Sequence, residues 1–198
     1  MMVNRPSILY FVFALLCLIS ALAAACRDRA TEATASPSAT PEYLPTATIK
    51  DLMQSIVDPS ADVVWTSVTT VQTTEGSVDI APKNDEEWAK VRHGAVALAE
   101  VANLLVMPGR HVARPGEKSE TPGVELEPGE MEALIAKDRA AFNARAKTLH
   151  EAGVAAIQAA DSKNPQRIVE VGEQIERACE NCHANYWYPN EKIPEVPK

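Results

Sequence analysis

The chain has 198 residues and a formal charge of −8, and 5% of its residues are aromatic. That length accommodates one domain plus accessory segments, and the acidic balance argues against binding nucleic acid through its phosphates. Scarce aromatics beside abundant alanine favour closely packed helices over a β-sandwich.

Residues 1–25 read as a signal peptide. Arg5 is the only charge, and the uncharged run from Ser7 to Ala25 is most apolar between Ile8 and Ile19 and ends in small residues. The ending Leu22-Ala23-Ala24-Ala25-Cys26 resembles a bacterial lipobox, which makes Cys26 the candidate lipidated first residue. Ordinary cleavage and retention as an uncleaved anchor are the other outcomes, since the run approaches the ~20 residues of a bilayer span. All three place the domain outside the cytoplasm, and the lipoprotein reading places it in the periplasm on a membrane tether. Residues 26–48, rich in Ala, Thr, Ser and Pro with Pro37, Pro41 and Pro45, read as a linker.

A domain is expected over residues 49–190, with a tail at 191–198. Ile49, Leu52, Met53, Ile56 and Val57 fall on one helix face. Asp58-Pro59 is expected to interrupt that helix, because the residue before proline is pushed out of the α region. The Val- and Thr-dense stretch from Val63 to Thr74 is compatible with extended structure, and the pattern does not decide it. Asn84 and Glu87 form a capping-box pattern. The helix they open carries the stripe Trp88, Val91, Ala95, Leu98, Ala102 and Leu105, whose alternating steps of three and four suit a bundle helix, and Met107-Pro108-Gly109 ends it. After a proline- and glycine-rich loop over 110–129, a third helix is expected from about Glu130 to Ala160. Met131, Ile135, Phe142, Leu149, Gly153 and Ile157 lie on one side of it. Asn164-Pro165 supplies a cap and a first-turn proline for a fourth helix.

That last helix holds the sequence Cys179-Glu-Asn-Cys182-His183. Two cysteines spaced by two residues and followed at once by histidine are the pattern of c-type haem attachment. Each thiol can add to one vinyl group, and the adjacent imidazole can reach the iron. Ile168, Gly172, Ile175, Cys179, Cys182 and Tyr186 step along one stripe, so both cysteines lie on the core-facing side with His183 beside them. Outside the targeting segment and Cys26 these are the only cysteines, so no second pair completes a four-thiolate zinc site.

Four helices, an inward methionine on the first and this motif near the C-terminus resemble the class II c-type cytochromes, the cytochrome c-prime type and its low-spin methionine-ligated relatives. The resemblance covers roughly residues 49–188. It implies an all-α four-helix bundle with one covalent haem on the last helix. Cys179, Cys182 and His183 match the haem site, His183 being the axial iron ligand, and Tyr186 matches a recurrent tyrosine. Trp187 stands where the family often has a basic residue. A class I arrangement would need a methionine after His183, and there is none.

The sixth iron ligand divides the functional readings. Met53 is the best candidate, and ligation by its thioether would make the chain an electron carrier working between periplasmic redox proteins. If Met53 only fills the core, an open site would suit a gas-binding module for nitric oxide or carbon monoxide. Met107, Met131 and His150 are weaker ligand candidates. His93 and His111 read as surface residues, and Glu86, Glu87, Glu173, Glu176 and Glu180 as wet helix faces. Peroxidase-like catalysis is disfavoured because Arg92 and Arg145 lie near core stripes without a distal histidine. A homodimer is implied by the resemblance alone.

Overall fold

A computed structural model describes residues 43–190, and these belong to the compact unit Tyr43–Lys198. The expected signal peptide, Cys26, most of the linker and the 191–198 tail lie outside the described residues.

The fold is mostly helical. The elements in chain order are α1 (Ile49–Leu52), a π-helical segment (Met53–Val57), α2 (Asp58–Ser67), β1 (Thr69–Thr73), β2 (Gly76–Ile80), α3 (Asp85–Leu105), α4 (Pro128–Lys137), α5 (Arg139–Asp161) and α6 (Pro165–Tyr186). α2 packs on α3 and on α6, α3 packs on α5, and α5 packs on α6, so the longer helices close a ring of contacts. Its centre holds Val64, Leu98, Val101, Ile168, Val171 and Ile175, all essentially without solvent exposure.

The helix ends follow from local chemistry. Thr48 and Asp51 form a capping box at α1, with Thr48 Oγ1 accepting from the Asp51 amide at 3.0 Å. Asn84 Oδ1 accepts from the Glu87 amide at 2.9 Å, and Glu87 reaches back to the Lys83 amide at 2.6 Å. Asn164 caps α6 through the Arg167 amide at 3.1 Å, with Pro165 in the first turn. The stripe on α3 is buried throughout, from Trp88 to Leu105.

Two expectations change, and one undecided stretch resolves. Asp58-Pro59 does not break the first helix. Asp58 is helical (φ −57°, ψ −54°), and its amide donates to Met53 O in a π-turn. The wider turn makes room for the proline ring, which would otherwise meet a carbonyl one turn back. The single helix expected over 130–160 is two helices. Asp138 leaves the helical region (φ −141°, ψ 73°), ends α4, and caps α5 by accepting from the Ala141 amide at 2.9 Å. The carboxylate offers the backbone a local alternative to continuing the helix. The undecided stretch 63–74 divides: residues to Ser67 are helical, and Thr69–Thr73 pairs antiparallel with Gly76–Ile80, Val71 opposite Val78. Both strands are exposed along their length. β-branched residues favour the extended form here, and Gly76 turns the chain at φ 128°.

Two glycines set close helix approaches. A methyl group on Gly153 would stand 2.6 Å from the Ala99 nitrogen, so the α3–α5 contact depends on the missing side chain. Gly172 makes room for Trp65, whose indole Nε1 donates to Gly172 O at 3.0 Å.

Candidate functional site

The last turns of α6 open onto a cavity of about 260 Å³. Cys179, Cys182, His183 and Tyr186 line it from α6, and Met53 lines it from the π-helical segment. Leu105, Phe142 and Leu149 add apolar wall from α3 and α5. α4 contributes Met131 and Ile135, and the 106–127 loop contributes Val112, Ala113 and Lys118 through Glu120. Six of the candidate haem-site residues therefore meet at one cavity: the two cysteines, His183, Tyr186, Met53 and Met131. Met107 does not line it; its sulfur accepts from Arg110 Nη2 at 3.2 Å. His150 does not line it either, and its Nδ1 lies 2.9 Å from Ala99 O on α3. His93 is exposed, and His111 pairs with Glu132 at 3.1 Å.

The two cysteines are half-buried free thiols. Burial pushes both up to about 11, with Asp58 adding to the effect at Cys179 and Arg145 opposing it at Cys182. Both therefore stay protonated at neutral pH. Redox and metal-binding dithiols need the opposite, a thiol lowered into the thiolate form. His183 is also held below its usual range, chiefly by burial, against the upward pull of Glu180 and Asp58. Its imidazole is neutral at neutral pH, the form that can donate a lone pair to a metal.

The surroundings fix these side chains. The His183 ring meets Trp187 edge-on, with centroids 4.9 Å apart, and Tyr188 at 5.9 Å. Tyr186 stands edge-on to Phe142 at 5.4 Å. Trp187 O accepts from the Leu126 amide at 2.8 Å, and the Trp187 indole helps to hold the Glu125 carboxyl ionised against burial. At the other end of the loop, His111 O and Val112 O accept from the Ile49 and Lys50 amides at 2.9 and 3.0 Å. They satisfy donors that a helix start leaves open. The loop is thus tied to both helices that bear the candidate ligands.

Sequence reasoning placed Arg145 near a core stripe and Asp58 at a helix break, without assigning either to a cavity wall that both in fact line. The first helical segment puts Ile49, Lys50, Met53, Gln54, Val57 and Asp58 on the cavity side; Ile49, Met53 and Val57 belong to the face read from sequence, and the polar residues beside them do not. Burial raises the Asp58 carboxyl, while His183 pulls it down.

Among the described residues no group of three or more His, Cys, Asp or Glu side chains is arranged to hold a metal ion. A haem brings its in-plane nitrogen ligands with it and asks the protein only for axial ones. An apolar cavity with protonated thiols at i and i+3, a neutral imidazole at i+4 and a thioether fits that group. No family model, curated protein or solved structure matches the chain.

Proposed function

We propose that this protein is an exported, membrane-tethered mono-haem cytochrome of the class II c type, a four-helix bundle that carries single electrons between periplasmic redox proteins. Haem c would be held through Cys179 and Cys182, with His183 and Met53 as the chain's ligands to its iron. The observation that carries the reading is that Cys179, Cys182, His183 and Met53, three of them a motif and the fourth over a hundred residues away, line one cavity. When bound, the haem supplies the one-electron couple of its iron, whose potential a thioether ligand raises.

The chain's own residues would do the rest. His183 presents a neutral nitrogen in an orientation set by Trp187 and Tyr188. The apolar walls would exclude water from a bound haem and favour its less charged state. The loop from Val106 to Glu127 covers the edge that the helices leave open. Cys26 as a lipid anchor would keep the domain at a membrane surface.

An absorption spectrum of the reduced protein, with and without carbon monoxide, tests the ligand set. Electron carriage with Met53 bound predicts a six-coordinate low-spin spectrum that carbon monoxide leaves unchanged, and Met53→Ala turns it high-spin and gas-sensitive. A wild-type spectrum that is already high-spin and shifts with carbon monoxide would instead support the gas-binding reading.

A further inference from the structure

Three cationic side chains line the cavity: Lys50, Lys118 and Arg145. Two of them face acids. Lys50 Nζ lies 2.9 Å from Glu120 and 4.0 Å from Glu117, and Lys118 Nζ lies 3.9 Å from Glu127. Arg145 differs. Its Nε donates to Asn181 O and its Nη1 to Ala141 O, both at 3.2 Å, and its guanidinium carbon sits 5.5 Å from the centroid of the Tyr186 ring. No carboxylate lies within ion-pair distance of it among the described residues.

These contacts fix the plane of the guanidinium without neutralising its charge. Two backbone carbonyls and an aromatic face are good seats for Arg, and the fork has further donors to offer. A half-buried cation held rigidly on the wall of an apolar cavity, with no acid beside it, is a site for a carboxylate of whatever fills the cavity. Its bond to the Asn181 carbonyl seats it against α6 on the cavity wall.

We propose that Arg145 is a carboxylate-binding residue that pairs with a haem propionate and so sets how the ring lies in the cavity; this rests on the haem reading above. Arg145 is then a positioning residue and takes no part in ligating iron. The pairing explains why α5 carries an arginine at a place where its stripe neighbours Phe142 and Leu149 are buried and apolar.

Resonance Raman spectroscopy of the haem-loaded protein reads it, because the propionate bending band shifts with hydrogen bonding to the carboxylate. Arg145→Gln is expected to move that band, and Arg145→Lys to move it less and in the same direction. Arg92→Gln, whose guanidinium pairs with Asp161 at 2.8 Å away from the cavity, should leave it in place. A band unmoved in both Arg145 variants overturns the proposal, and if only one variant loads, its band decides. Wild-type protein that carries no covalent haem would instead sink the underlying reading of the cavity.

Discussion

Cys179 and Cys182 stand on α6 at the cavity wall, on the stripe read from sequence. The motif and its stripe were legible because they are fixed residue types at fixed spacing, and the spacing survives any detail of packing. The effect of burial on those thiols was not legible, because desolvation depends on what α5, α4 and the loop place over them. It carries its own prediction. In the haem-free chain the folded thiols titrate near 11 and ordinary thiols at 9.0. A raised folded value means that the stability these thiols contribute is intact below pH 9 and lost as pH rises through about 11. Urea midpoints of the haem-free protein should fall across that window by more than those of the Cys179→Ser/Cys182→Ser variant. Parallel curves would show that burial does not govern these thiols. The place of Arg145 and Asp58 on the cavity wall was not legible for a different reason. An isolated charged residue beside an apolar stripe reads as solvated unless the cavity it faces is known.

Capping and stripes were readable at the scale of the elements because they are local. Asn84, Asn164 and the Trp88–Leu105 stripe each need only their own few residues. The failures all involve local chemistry that two rules pull in opposite directions. Pro59 argues for a break, and the π-turn removes the clash instead. The stripe through Met131, Ile135 and Phe142 argues for one helix, and the Asp138 carboxylate ends it. Replacing Asp138 with Ala should remove the α5 cap at a cost of about 1 kcal/mol, read as a lower denaturant midpoint at unchanged slope; an unaltered midpoint would show that the cap adds nothing. Gly153 supplies a sharper test of helix packing. Gly153→Ala forces a methyl group against the Ala99 backbone and should cost about 1–3 kcal/mol. For a domain of this size that lowers Tm by roughly 2–4 °C per kcal/mol. Raised stability, as expected from helix propensity alone, would show that α3 and α5 do not approach so closely.

For the whole molecule, the order of helices explains why a motif near the C-terminus and a methionine near the domain's start reach one cavity. α6 packs back on α2, and the π-helical segment that precedes α2 holds Met53. The loop closes the remaining side through backbone bonds at both ends, which no residue pattern in its proline- and glycine-rich stretch announces. The exposed hairpin between α2 and α3 was only partly legible: the Val- and Thr-dense stretch was compatible with extended structure, but both strands lack the buried face that would set a period. The most direct measurement of the central claim is the pyridine haemochrome spectrum of the protein, made with a c-type haem maturation system and then denatured and extracted with acid acetone. Haem should stay with the chain, with the band position of two thioether links, and Cys179→Ser or Cys182→Ser should each shift the band to that of a single link. Haem extracted completely from the wild-type chain, or bands indifferent to both substitutions, would contradict the account.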